Sequence, residues 1–201
     1  RSEMLSGISH DLRTPLTRIK LQLAMIKDKN LSKKLSDDVD EMEKMLNEYL
    51  QFARTDAKDK TEIFDLSELA ENIISKYENS GISKDFNKKI YFNGRKNLIQ
   101  RCISNLIDNS IKYGKKTEII IEKKISNIAI SIEDDGPGIP KSEYENVIKP
   151  FYKIDKSRSE SKSSVGLGLA ISSDIIKSHG GDINFSKSKL GGLKVMISLP
   201  V

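Results

Sequence analysis

The 201-residue chain has no tryptophan, one cysteine and two histidines. The lone Cys102 excludes an internal disulfide framework and a cysteine-based zinc site. With only His10 and His179, a histidine-rich metal centre is not expected either. Apolar runs stop after a few residues, as at Ile119 to Ile121. A bilayer span needs about 20, and no secretory signal is visible. The first residue is Arg1 rather than Met, so a fragment is expected, with any membrane span in the part that is missing. Net charge is +5, but the 34 basic residues are interleaved with 29 acidic ones. No dense Lys/Arg block with aromatics occurs, so no nucleic-acid partner is expected.

What the chain does have is unevenly distributed. Residues 1–61 contain one glycine, Gly7, and one proline, Pro15, while the other eleven glycines and four prolines lie beyond. Long helices followed by a mixed α/β domain are expected. In the first part, Leu5, Ile8, Leu12, Leu16, Ile19, Leu23 and Ile26 recur at spacings of three and four. After a break at Asp28-Lys29-Asn30, Leu35, Val39, Met42, Leu46, Tyr49 and Ala53 repeat the pattern. A lone hairpin of two such helices cannot bury both stripes. Pairing with a second copy in a four-helix bundle is the expected remedy, and packing against the second domain is the alternative. In that domain, helices are expected around Leu69, Ile73, Ile74 and Tyr77, at residues 97–113 and at 165–178. Strands are expected at 88–93, 117–124, 127–133, 183–186 and 193–199, with Asp65 or Ser67 capping the first helix. The fold class is therefore α+β: a helical hairpin over 1–56, a linker over 57–63, and over 64–201 an α/β sandwich with one mixed sheet covered by helices.

On a helical wheel at about 100° per residue, the apolar stripe of the first helix centres about 190° from His10. His10 should then face solvent, with Thr14 one turn on and Asp11 beside it. A neutral imidazole offers a nucleophilic nitrogen, and Asp11 can orient the ring or take its proton. Pro15 invites a kink just after the histidine. Leu21 and Met25 share the His10 face, at about 20° and 60° on the same wheel. They are either a docking surface or scattered exposure. The string Ser9-His10-Asp11-Leu12-Arg13-Thr14-Pro15-Leu16 resembles the phosphoacceptor box of sensor histidine kinases.

No P-loop pattern occurs. Four other elements follow one another instead. Asn105 and Asn109 lie four apart on a helix and share a face. An amide oxygen suits Mg²⁺, and Lys112 and Tyr113 follow one turn later, within reach of phosphates. Asp134-Asp135-Gly136-Pro137-Gly138 follows a strand. A carboxylate there can accept a hydrogen bond from an exocyclic amine, and the glycines allow close approach. Pro150-Phe151-Tyr152 precedes a serine-rich stretch, in which Lys153 and Arg158 are candidate phosphate contacts. Gly166-Leu167-Gly168 opens a helix whose N–H groups attract phosphate. Each alone also reads blandly, as a polar helix face, a turn, a linker or a packing contact.

Together the four resemble the N, G1, F and G2 boxes of the Bergerat (GHKL) ATP-binding fold, which histidine kinases share with gyrase. Within the kinases, the ending from Gly191-Gly192-Leu193 to Pro200-Val201 is similar to that of the osmosensor kinases. The resemblance implies a dimeric protein-histidine kinase using ATP and Mg²⁺, with a response-regulator receiver domain as partner. It implies His10 as phosphoacceptor, Asp11 as its acid/base neighbour and Thr14 as the residue for phosphatase activity. It also implies Asn109 as metal ligand with Asn105 beside it, Asp134 as adenine acceptor, and Gly136, Gly138, Gly166 and Gly168 as nucleotide-loop glycines. The fragment would then be cytoplasmic and the full-length protein in the bacterial inner membrane. Relatives often carry glycine where this chain has Ser164, and a small polar residue at Val165, which implies a stiffer hinge. A GHKL ATPase without histidine transfer, a degenerate phosphatase or scaffold, and a helical adaptor are the alternatives. His179 and Cys102 read as structural, the histidine suiting a helix C-terminus.

Overall fold

The computed structural model describes residues 14–54, 60–77, 80–86, 88–154 and 166–201. His10, Asp11, Arg158, Ser164 and Val165 lie outside the described residues, as do Leu5, Ile8 and Leu12 of the predicted stripe. The chain divides into two compact units, Arg1–Lys58 with Asp155–Leu167, and Asp59–Ile154 with Gly168–Val201.

In the first unit, residues 14–24 form helix α1 and Lys29–Arg54 form helix α2. The turn falls at residues 25–28, where Asp28 caps α2 by accepting from the N–H groups of Asn30 (3.0 Å) and Leu31 (3.1 Å). Leu16, Leu23 and Val39 form the buried seam, with Ile26 and Leu46 partly buried against it. Lys20 joins the helices through Asp40 at 2.6 Å and Glu43. Ile19, Leu35 and Met42 belong to the predicted stripes yet remain exposed in the single chain. The hairpin alone thus buries only part of its apolar surface.

The second unit begins with β1 (Glu62–Asp65), α3 (Leu66–Ile74), β2 (Ile82–Asp85) and β3 (Tyr91–Gly94). It continues through α4 (Lys96–Tyr113), β4 (Thr117–Lys123), β5 (Asn127–Asp134), α5 (Gly168–Lys177), β6 (Asp182–Lys187) and β7 (Leu193–Pro200). Asp65 caps α3, accepting from Ser67 N and Glu68 N. Tyr77 lies beyond the end of α3, its hydroxyl donating to Asp108 at 2.7 Å.

Five strands form one mixed sheet in the order β2-β4-β5-β7-β6, with β2 parallel to β4 and the rest antiparallel. Alternation along the strands sets two faces. Ile121, Ile130, Ile197 and Ile183 line up across the register on the face packed by α4 and α5, and all four are buried. On the opposite face Ile120, Ser131, Met196 and Asn184 make the equivalent row, with Met196 and Asn184 exposed. Helices α4 and α5 touch through small residues, Ser172 Oγ donating to the Cys102 carbonyl at 3.5 Å. Burial there pushes the Cys102 thiol up to about 12.

Three differences from the sequence reading stand out. Strands β1 and β2 were not anticipated, and β1 pairs with β3 in a separate two-stranded sheet. The strand expected at 88–93 begins at Tyr91, and the helix expected at 165–178 begins at Gly168. His179 is structural, but not through charge at a helix terminus. Its Nε2 accepts from Arg95 N at 3.1 Å, so Nδ1 carries the proton and donates to the Ile175 carbonyl at 2.7 Å. Burial, with Arg95 close by, holds its pKa below 6.5 despite that last bond.

A histidine with a lowered pKa in the fold binds fewer protons folded than unfolded. Its stabilising contribution is complete above about pH 6.5 and is lost as pH falls through the lowered value. Thermal midpoints recorded from pH 7.5 to 5 should therefore fall further for the wild type than for His179→Gln.

Candidate functional site

Helix α4 faces inward through Leu98, Cys102, Ile103, Leu106 and Ile107. That orientation leaves Asn105 and Asn109, one turn apart, half-buried along one edge. The Nδ2 of Asn105 is sealed from solvent and has no hydrogen-bond partner among the described residues. Such an orphaned donor is costly unless a ligand or water meets it. Gly168, the first residue of α5, stands against the same edge: a Cβ there would lie 3.7 Å from Asn109 Nδ2 and 4.0 Å from Asn105 Cβ. In the last turn of α4, Lys112 Nζ sits 5.2 Å from the centre of the exposed Tyr113 ring.

Strand β5 delivers Asp134 to the same end of the unit. Its Oδ1 accepts from Gly136 N at 2.8 Å and Leu193 N at 3.1 Å. The Asp134 carbonyl accepts from Gly192 N at 3.0 Å. Among the described residues no donor reaches Oδ2. Burial raises the Asp134 pKa, opposed by the bonds from Leu193 and Gly136. The neighbouring Asp135 turns away and accepts from Lys115 N (2.6 Å) and Lys116 N (2.8 Å), which hold its pKa down.

Two glycines are required by close approach. At Gly136 a Cβ would sit 2.7 Å from the Tyr113 carbonyl oxygen, and at Gly192 one would sit 2.2 Å from Asp134 Oδ1. Gly138 is in the left-handed region at φ +69°, as is Gly166 at φ +78°. Gly166 and the buried Leu167 group with the helical unit. The second unit by itself thus brings together Asn105, Asn109, Asp134, Gly136 and Gly168.

The aromatic stretch is held differently. Tyr152 Oη donates to Glu143 at 2.5 Å, Asn146 Nδ2 donates to the same carboxylate at 3.2 Å, and Phe151 between them has φ +64°. Lys153 makes no hydrogen bond or ion pair among the described residues. Thr14, at the start of described α1, is exposed, and Leu21 and Met25 are 66% and 84% exposed.

Sequence reasoning missed Gly192, Leu193 N–H and Glu143. The Gly191-Gly192 pair enters the sequence reading only as part of a chain ending, and Asp134, the partner of Gly192, is 58 positions upstream. Among the described residues no three His, Cys, Asp or Glu converge as a metal cluster, and no helix is long and apolar enough to cross a membrane. The set suits a nucleotide: a carboxylate oxygen that no donor among the described residues meets, and asparagine side chains beside a helix start.

Comparison with known proteins agrees with this geometry. Residues 94–201 match the histidine kinase-, DNA gyrase B- and HSP90-like ATPase family, and residues 1–58 match the His Kinase A phospho-acceptor domain. The chain is 33% identical over its whole length to the sensor histidine kinase GtrS of Pseudomonas aeruginosa, covering 42% of that protein. To the sensor histidine kinase CpxA of Escherichia coli it is 30% identical, again over the whole chain, covering 47% of the relative. It therefore spans less than half the length of either. Among solved structures, full-length ShkA in complex with AMPPNP matches all of this chain and 46% of its own at a TM-score of 0.73 and 18% identity, a likeness of fold. The Acinetobacter baumannii histidine kinase AdeS matches at a TM-score of 0.65 and 25% identity, over 95% of this chain and 97% of its own. With more than half of the chain matched by the ATPase family and a phospho-acceptor domain ahead of it, the chain belongs to the histidine kinase-, DNA gyrase B- and HSP90-like ATPases, in the pairing carried by sensor histidine kinases.

Proposed function

We propose that the chain is the catalytic core of a sensor histidine kinase that binds ATP in its second unit and phosphorylates His10. The observation that carries this reading is Asp134. One carboxylate oxygen is fixed by two backbone N–H groups, and the other is left for the adenine amine, beside the Asn105–Asn109 edge and the start of α5. Asn109 would offer its amide oxygen to Mg²⁺, while Asn105, Lys112, Tyr113, Lys153 and Arg158, with the N–H groups of Gly166, Leu167 and Gly168, would meet the phosphates. When bound, Mg²⁺ supplies charge neutralisation for the phosphates.

In this reaction a ring nitrogen of His10 attacks the γ-phosphorus. The bond to the bridging oxygen breaks, ADP leaves, and Asp11 takes the proton from the other ring nitrogen. Residues 57–63 would act as the hinge that lets the two units meet. A regulator aspartate then takes the phosphoryl group from His10, its receiver domain docking on Leu21 and Met25. Thr14 would orient water for the reverse activity, hydrolysis of the regulator's phospho-aspartate. The exposed Ile19, Leu35 and Met42 support dimerisation through a four-helix bundle.

Incubation with γ-labelled ATP and Mg²⁺ should give an acid-labile, base-stable label on the chain that is absent from His10→Ala; ATP turnover without protein label would favour a plain ATPase instead. Asp134→Asn keeps an oxygen for Gly136 and Leu193 but turns a donor toward the adenine amine. Calorimetric titration should show ATP affinity down by about 10- to 100-fold with the thermal midpoint little changed. Leu21→Glu should slow phosphotransfer to the regulator several-fold in a time course while autophosphorylation proceeds at the wild-type rate.

A further inference from the structure

Consecutive residues of a strand point to opposite faces. At the end of β5, Asp134 follows Ile130 and Ile132 to the face packed by α4 and α5, and Glu133 points to the other face. There it lies in register between Glu118 of β4 and Lys194 of β7. Glu133 is 1% exposed, which a carboxylate tolerates only when its oxygens are met. Three donors meet them: Lys194 Nζ at 2.9 Å, Ser188 Oγ at 3.0 Å and Lys189 N at 3.2 Å. Burial pushes the Glu133 pKa up, and these bonds outweigh it and hold the pKa down. Two of the three donors belong to the β6–β7 turn, residues 188–192. The turn is otherwise bonded to itself. Ser188 N donates to Gly192 O at 2.9 Å, Leu190 N to Ser188 Oγ at 2.9 Å and Gly191 N to Ser188 O at 3.1 Å. The N–H groups of Gly192 and of Leu193 just beyond it go to Asp134. At Gly191, φ is +111° and a Cβ would meet nothing within 4 Å, so local crowding does not fix the turn. The turn thus straddles the end of β5, gripped by Glu133 on one side and by Asp134 on the other.

We propose that Glu133 is a positioning residue for nucleotide binding, its buried carboxylate clasping the β6–β7 turn so that Gly192 and Leu193 keep their N–H groups on Asp134. This rests on the ATP-site reading above. Glu133 lies on the face of the sheet opposite α4 and α5 and acts only through the turn. Without its carboxylate, the buried Ser188 hydroxyl loses its acceptor and the Lys189 N–H loses its partner. The turn then shifts to satisfy them, as its glycines permit. A shift of Gly192 and Leu193 takes a donor from Asp134 Oδ1, and the Asp134 side chain regains its rotation. Lys194 has a different part: it balances the buried charge of Glu133 from β7 and holds no atom of the turn. What the turn requires of Glu133 is therefore an acceptor oxygen rather than a negative charge.

The test is the ATP affinity of the whole chain, read by calorimetric titration, with Glu133→Ala and Glu133→Gln each made alone and together with Asp134→Asn. Glu133→Gln keeps an oxygen for Ser188 and Lys189 and should bind ATP within about threefold of the wild type. Glu133→Ala removes that oxygen and should bind about tenfold more weakly, the size of one buried hydrogen bond. Where Asp134→Asn is already present no carboxylate is left to aim, so Glu133→Ala should cost less than about twofold more. A merely structural role would lower the thermal midpoint without that coupling and without rescue by glutamine. No loss in Glu133→Ala, equal losses for alanine and glutamine, or the same loss with and without Asp134→Asn overturns the role of Glu133 and leaves the ATP site standing. Should Glu133→Ala fold poorly, Ser188→Ala takes its place in the cycle. It removes one of the same bonds and should weaken ATP binding about threefold, an effect that should vanish beside Asp134→Asn. Failure of the wild type to bind ATP at all overturns the ATP-site reading, and this one with it.

Discussion

The site depends on how the Asp134 carboxylate is divided between protein and ligand. Two backbone N–H groups, one from the loop that leaves β5 and one from the first residue of β7, converge on a single oxygen. The side chain therefore cannot rotate without abandoning both, and its second oxygen keeps a fixed aim. The close approach that allows this forbids a Cβ at Gly136 and at Gly192. Burial raises the pKa of this carboxyl, and the same bonds oppose that shift by stabilising the charged form. A neutral acid would lose part of its capacity as an acceptor for an amine.

A second constraint acts at the other end of α4. The start of that helix has no side-chain cap. It is held instead by His179, just past the end of α5, while Arg95 Nη2 reaches Ser178. These contacts tie the residue that precedes one helix to the residues just past the end of another, more than 80 positions away. Because α4 carries both asparagines and α5 begins at Gly168, fixing their far ends together also sets the distance between their working ends. A neutral imidazole does this well, since one nitrogen accepts and the other donates.

Much of this was readable in advance, for physical reasons that differ by element. The period of α4 and the alternation of β4, β5 and β7 express large apolar faces, and those elements fell close to where they were expected. The pair Asn105–Asn109 and the glycines after Asp134 were legible because their meaning lies within a few residues. Strands β1 and β2 were not. Each is four residues long, and Ile82-Ser83-Lys84-Asp85 has one apolar side chain and little burial, so the neighbouring strand defines it rather than its own pattern. Gly192 and Leu193 escaped for a related reason: each gains its significance from its placement against Asp134, 58 and 59 positions away in the chain.

The packing of α4 against α5 has a practical side. Cys102 is the only thiol in the chain, it is wholly buried, and its proton is held up to about 12. The thiolate that alkylating reagents attack is scarce there, and no reagent reaches it while the two helices stay together. The rate at which the native chain is alkylated thus counts the openings of its own interior, and a bound molecule that clamps the two helices registers as a slower clock.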